Sequence, residues 1–225
     1  MICSMKFCKN YCYSLCTNWL FMAFLLFAIA IAVFHLNLPL FMAINNLHTI
    51  LPDFVWLVLN SVTHTKYAVL AAILFLLTLI FRRDKLRQVV ILIVAFYVLF
   101  VVLKIFVGEA RPYIVIPEGT FFWLKPDGSF LGISLSEDIA ASAYRSFPSG
   151  HVGQTAVFVF AIINLFFPRN MAAKIIFFLF LLLIGFARIC TGWHWPLDVV
   201  ASGLIAYALV KLCLCNKDEI CSKEQ

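Results

Sequence analysis

The sequence predicts an all-α fold: a polytopic bundle of six transmembrane helices, with a long extracytoplasmic loop between the third and fourth spans. Three observations predict it. Hydrophobic residues make up 64% of the 225-residue chain and charged residues only 12%, about half the charge of an ordinary soluble domain. The mean hydropathy is +1.01. Apolar runs recur at lengths near the roughly 20 residues that a helix needs to cross a hydrocarbon core of about 30 Å.

The spans read from unbroken apolar character are residues 19 to 36, 67 to 81, 89 to 107, 152 to 167, 175 to 190 and 197 to 215. The first follows Lys6 and Lys9, and its apolar run exceeds the roughly 7 to 15 residues of a signal-peptide core, so it is read as a span. The second would rise only about 22 Å, and it is expected to borrow from "FVWLVLNSV" (54 to 62) across the polar step "THTK". The connections "FRRDKLR" and "PRNMAAK" are short and basic, as suits loops between antiparallel spans. One membrane domain, 19 to 215, is thus flanked by a Cys-rich segment, 1 to 18, and a tail, 216 to 225, both expected in the cytoplasm.

The bias of Lys and Arg toward the cytoplasm fixes orientation. Lys66, Lys104, Arg111, Lys125, Arg145 and Arg188 fall on the outer side, and the rest of the 17 basic residues fall inside. The net charge of +6 therefore reports topology and affinity for anionic headgroups, and no nucleic-acid surface is indicated. Seven of the eight cysteines map to the inner side, leaving Cys190 near the outside with no partner for a disulfide. The N-terminal cysteine spacings match no zinc pattern.

Residues 108 to 151 form the long outer loop, rich in Pro and Gly, and a loop of that length in a compact protein is commonly functional. Phe121, Phe122 and Trp123 suit the membrane interface. "SLSEDIAASAY" (134 to 144) is expected as a short lid helix with a serine cap and an acidic first turn.

Three polar clusters reach the outer face. They are "KIFVGEARPY" at the exit of span 3, "RSFPSGH" before span 4, and "ARICTGWHWPLD" between spans 5 and 6. One cation at a span end is ordinarily a snorkelling anchor. Three cations, two His and an Asp on one face are harder to explain that way. Lys104, Arg111 and Arg188 offer an ammonium and two forked guanidinium groups, which suit phosphate oxygens. Ser149 and Gly150 offer a hydroxyl and backbone N–H groups at the positive end of a helix dipole. His194 and Asp198 are four apart, one helical turn, so the carboxylate can hold one ring nitrogen and leave the other basic. His151 is placed to donate a proton to a leaving oxygen. His35, His48 and His64 are read as interfacial residues.

With these residues in order, the chain resembles the type 2 phosphatidic acid phosphatase (PAP2) superfamily, whose pattern is K-x6-RP, PSGH and SR-x5-H-x3-D. The matching elements are Lys104, Arg111 and Pro112, then Pro148 to His151, then Arg188, His194 and Asp198. Ala187 stands where the family usually has Ser. The resemblance covers about residues 19 to 213. It implies that His194 attacks phosphorus to form a phosphohistidine, Asp198 orients it, and His151 protonates the leaving group and later activates water. It further implies that Lys104, Arg111, Arg188, Ser149 and Gly150 bind the phosphoryl oxygens, with no cofactor or metal, and that Ala187 tunes packing or one hydrogen bond.

The expected substrate is a membrane lipid phosphate, entering laterally from the bilayer of a bacterial cytoplasmic membrane. Undecaprenyl diphosphate is favoured, with phosphatidylglycerol phosphate and phosphatidate beside it and a lipid A phosphate as the runner-up. The six spans disfavour a soluble vanadium haloperoxidase. A transporter would place its charges near the bilayer midplane, whereas here they gather at one end, and a catalytically dead relative would not fill every acid, base and nucleophile position.

Overall fold

The apolar runs fold as helices because hydrocarbon offers no partner to a peptide group outside a helix or a closed barrel. The computed structural model describes residues 19–63, 68–116, 129–130, 133–134 and 143–214. Among them, the helices are α1 (Trp19–Val33), α2 (Asn37–Asn45), α3 (Asp53–Val62), α4 (Val69–Phe81), α5 (Leu86–Val107), the single turn α6 (Pro112–Val115), α7 (Gly150–Phe166), α8 (Met171–Cys190) and α9 (Pro196–Leu214). Between α6 and α7, β1 (Ser129–Phe130) and β2 (Ile133–Ser134) form a two-residue antiparallel ladder, with Ser129 opposite Ser134. Outside the described residues lie the Cys-rich segment, the step at 64–67 with His64 and Lys66, the aromatic patch with Lys125, residues 135–142 of the expected lid, and the tail from 215.

Each expected span coincides with a helix: α1, α4, α5, α7, α8 and α9. Of these, α5, α8 and α9 are long and apolar enough to cross a membrane by themselves, whereas α4 and α7 are shorter apolar helices. The chain is an integral membrane protein. Leu76, Val98, Ile105, Phe106 and Leu179 are exposed large hydrophobics on these helices, which lipid tails tolerate and water does not.

Two differences from the sequence reading matter for the site. The first span stops at Val33, where His35 adopts a left-handed φ of 54°, and the chain bends by 103° into the α2 stretch. Residues 53–62 form a separate helix, α3, rather than extending the second span. Both α2 and α3 pack on α8. Phe41 of α2 packs with Ile189 and Trp195, and Trp56 of α3 packs with Ala187 and Cys190. Asn45 Nδ2 donates to the Cys190 carbonyl at 3.0 Å, and Cys190 Sγ donates to the Ile44 carbonyl at 3.1 Å.

The innermost helix is α7, which packs on α9, α8 and α4 and buries nearly all of its first two turns. Hydroxyls in this core bond back to the carbonyl four residues earlier, as Thr78 does to Leu74 (2.7 Å) and Thr155 to His151 (2.8 Å), so they cost little in hydrocarbon. At the end remote from the polar clusters, Arg82 donates to the Leu165 carbonyl in the last turn of α7 (2.6 Å) and pairs with Asp84 at 3.3 Å. The first of these contacts complements the negative end of α7.

Gly153 sets how closely α5 approaches α7. A Cβ at this position would lie 2.3 Å from the Phe100 ring and 3.0 Å from Phe96, two rings with centroids 4.4 Å apart. Gly153→Leu is therefore expected to destabilise the bundle by about 1–3 kcal/mol through overpacking. Thermal unfolding in detergent, with Gly203→Leu as a control where an added Cβ meets nothing within 4 Å, checks this.

Candidate active site

The site is assembled from the ends of α5, α7, α8 and α9 that meet the segment between α5 and α7. Helix α5 closes on Gly108, whose φ of 59° suits a residue without Cβ, and Lys104 lies in the last turn. Its Nζ donates to the Arg145 carbonyl at 2.8 Å. Beyond the cap, the Arg111 amide donates to the Ala143 carbonyl (2.9 Å) and the Ser146 amide to the Glu109 carbonyl (3.0 Å). These bonds stitch 109–111 to 143–146.

A turn containing the cis Phe147–Pro148 peptide leads to α7. Ser149 holds the N-cap position with an extended backbone (φ −70°, ψ 111°), but its hydroxyl makes no capping bond, and the buried Oγ has no hydrogen-bond partner. Gly150 and His151 follow, both buried. A buried helix start whose donors lack protein acceptors is chemically an anion site.

The turn from α8 to α9 fixes the remaining groups. The amides of Trp193 and His194 both donate to the Arg188 carbonyl, at 3.1 and 3.2 Å. Asp198, in the first turn of α9, reaches back to accept from the Trp195 amide at 3.0 Å, the backward half of a capping box. The same oxygen, Oδ2, accepts from Ser146 Oγ at 2.5 Å and lies 3.4 Å from His194 Nδ1. His194 and Asp198 are 1% and 0% exposed, so the pair is sealed from bulk water.

The two arginines share one platform. Arg111 and Arg188 place their guanidinium carbons 4.8 and 5.1 Å from the Trp193 ring centroid, and Tyr113 meets that ring edge-on at 5.9 Å. Cation–π contact holds the two like charges side by side on one ring. Arg188 Nη1 donates to Asn60 Oδ1, and Asn60 Nδ2 donates to the Trp56 carbonyl at 2.7 Å, so α3 fixes the Arg188 side chain.

Burial, and after it the charges of Arg111, Arg188, Lys104 and His151, hold the His194 imidazole well below its ordinary pKa. The ring is neutral at physiological pH, as a nucleophile must be. Because the unfolded chain binds a proton here near 6.5 and the folded one does so only at lower pH, this group contributes stability above about pH 6.5 that is lost as pH falls. The unfolding midpoint is expected to drop on acidification from that pH. His194→Asn should flatten the drop by about one proton, which unfolding measured across pH in both proteins checks.

The eight residues expected from sequence, Lys104, Arg111, Ser149, Gly150, His151, Arg188, His194 and Asp198, lie at this one end of the bundle. All are buried except the half-buried Lys104. His48 stays out of the site, with Nδ1 3.0 Å from the Asn45 carbonyl, and His35 lies in the bend after α1. Ala187 is 1% exposed against Trp56 and Cys190, and its carbonyl takes the Thr191 amide and hydroxyl at 3.0 and 2.6 Å. Sequence reasoning missed Asn60, Ser146, Trp193 and Glu109. Asn60 carried a faint signal, as a polar side chain inside an apolar stretch. Ser146, Trp193 and Glu109 lie within the quoted clusters but outside the motif.

A helical membrane protein whose bundle buries a His–Asp pair among cations at one end is the class this fold and site define. The sequence pattern of the PAP2 superfamily matches residues 85–219, and the chain belongs to that superfamily. Among curated proteins, it is similar to phosphatidylglycerophosphatase B of Escherichia coli (strain K12), 28% identical over 135 residues, which are 51% of this chain and 53% of that protein. The protein of the same name from Shigella flexneri matches equally. The chain thus spans about half the length of the curated relatives it matches. Among solved structures, Aquifex aeolicus LpxE superposes with a TM-score of 0.61 at 27% identity, covering 80% of this chain and 96% of that one. The transmembrane PAP2 type phosphatidylglycerolphosphate phosphatase from Bacillus subtilis shares the fold, with a TM-score of 0.57 at 21% identity over 92% of this chain and 96% of its own.

Proposed function

We propose that the chain is a membrane lipid phosphatase that hydrolyses a phosphate or diphosphate monoester through a phosphohistidine on His194. The buried His194–Asp198 pair within a field of three cations carries this reading. A neutral imidazole oriented by a carboxylate is a nucleophile, and Lys104, Arg111 and Arg188 supply the charge that a phosphoryl group needs in its transition state.

In the first step, His194 Nε2 bonds to phosphorus while the bond to the lipid oxygen breaks, and His151 gives that oxygen its proton. A lipid alcohol leaves, or a lipid monophosphate if the substrate is a diphosphate. In the second step, His151 takes a proton from water, whose oxygen attacks phosphorus. The P–N bond breaks, inorganic phosphate leaves and both imidazoles are restored. Ser149 Oγ and the first amides of α7 receive phosphoryl oxygens alongside the cations.

A groove in the bundle supports a lipid as the substrate. A cavity of about 300 Å³ lies between α1, α7, α8 and α9, walled by Phe24, Phe160, Phe178 and Tyr207. At its other end stand Val152, Ile189 and Val199, the chain neighbours of His151, Arg188 and Asp198. Its wall is almost wholly apolar and suits a hydrocarbon chain. We place the site at the outer face of a bacterial cytoplasmic membrane, with six spans and both termini inside, on the distribution of Lys and Arg.

The names of the curated relatives favour phosphatidylglycerol phosphate, and the shared motifs fit undecaprenyl diphosphate equally. Phosphate release by the purified protein from these two, from phosphatidate and from a lipid A phosphate, with chelator present and His194→Ala as control, tests the proposal. Release from at least one, absent in the variant, is expected. Release from none by folded protein contradicts the reading and favours a transporter or binding role.

A further inference from the structure

Asp198 is well bonded on one oxygen and not on the other. Oδ2 accepts from Ser146 Oγ and the Trp195 amide and faces His194, whereas the buried Oδ1 has no donor. The Glu109 side chain lies within hydrogen-bonding reach of this carboxyl.

Glu109 is not there by chance of a flexible side chain. Its carbonyl holds the Ser146 amide, the neighbouring Ala110 carbonyl takes Trp195 Nε1 at 2.8 Å, and the Gly108 cap ends α5 just before it. Ser146 therefore touches both acids, through its amide on Glu109 and its hydroxyl on Asp198. Two carboxylates at this separation repel, and the arrangement is stable when they share one proton. A hydrogen on Glu109 would supply the donor that Asp198 Oδ1 lacks.

We propose that Glu109 is a positioning residue that, as the neutral acid, donates a hydrogen bond to Asp198 Oδ1 and so holds Oδ2 against His194 Nδ1. This rests on reading His194 as the nucleophile. Removal of the donor leaves a buried charged acceptor unsatisfied, and the carboxylate is then free to turn from the imidazole. Lys104, Arg111, Arg188 and His151 surround the pair and bind the phosphoryl group without Glu109, so substrate affinity is not its concern.

The test compares Glu109→Gln with Glu109→Ala. Gln keeps an N–H donor and cannot ionise. Glu109→Ala is expected to lower kcat about 10- to 100-fold with KM and inhibition by inorganic phosphate little changed, and Glu109→Gln to restore most of the loss. Histidine-selective nitrogen NMR on the full chain, with His194 assigned by its loss in His194→Asn, reads the same geometry without turnover. The Nδ1–H tautomer should dominate in the native protein and in Glu109→Gln, and mix with the other in Glu109→Ala. Loss of kcat in Gln equal to that in Ala, or an unchanged tautomer in folded Glu109→Ala, would overturn the proposal. The expected tautomer pattern in a protein that releases no phosphate would instead keep the positioning role and reject the phosphatase reading.

Discussion

His194→Ala is expected to leave no measurable phosphate release in a protein that still folds. The nucleophile is the imidazole that Asp198 faces, with Nδ1 3.4 Å from the carboxylate Oδ2. Loss of such a group costs on the order of 10⁴-fold or more in kcat, because the remaining members act only as a unit. Folding should survive. Asp198 Oδ2 keeps its bonds from Ser146 Oγ and the Trp195 amide, and the turn that carries position 194 is held by backbone bonds to the Arg188 carbonyl. The new cavity costs about 2 kcal/mol. Phosphate release and the unfolding midpoint, measured on the same preparation, separate the two effects.

Arg188→Ala is expected to lower kcat/KM by about 10²- to 10³-fold, the usual loss when one preorganised donor to a transition-state oxyanion is removed. Three features make Arg188 more than a local charge. It is 3% exposed, it stacks on Trp193 beside Arg111, and Asn60 fixes its fork. The substitution leaves Asn60 Oδ1 without that donor, so part of the loss arrives through α3. Arg188→Lys should recover little, because an ammonium can neither stack flat on Trp193 nor grip two oxygens at once. Steady-state kinetics of both variants, with Asn60→Ala showing a smaller loss in the same direction, check this account.

Much of the site could be read from the sequence because its chemistry is carried by rare residues. Charged and imidazole side chains are scarce in a chain this apolar, so Lys104, Arg111, His151, Arg188, His194 and Asp198 stood out, and their spacings matched a known pattern. The apolar helices were legible as apolar runs for the same reason, since hydrocarbon leaves a peptide little choice but a helix. The bend after α1 was not legible. It turns on the single left-handed residue His35, and a positive φ at a non-glycine residue has no sequence signature. The role of α2 and α3 was hidden because runs of nine and ten residues are too short to read as spans, yet long enough to brace α8. Asn60 reaches Arg188 across 128 positions, and Trp193 serves two arginines, Arg111 before α6 and Arg188 in the last turn of α8. Partnerships of that kind depend on tertiary packing rather than on local pattern.

If phosphate passes through His194, the phosphohistidine can be trapped. Purified protein is mixed with a radiolabelled aryl phosphate whose good leaving group needs little help from His151, and quenched in alkali. It is run beside His151→Ala, in which water attack is slowed. An alkali-stable, acid-labile label is expected on the peptide containing His194, more abundant in His151→Ala and absent in His194→Ala. Turnover with no label at His194, or with the label on another residue, would contradict it.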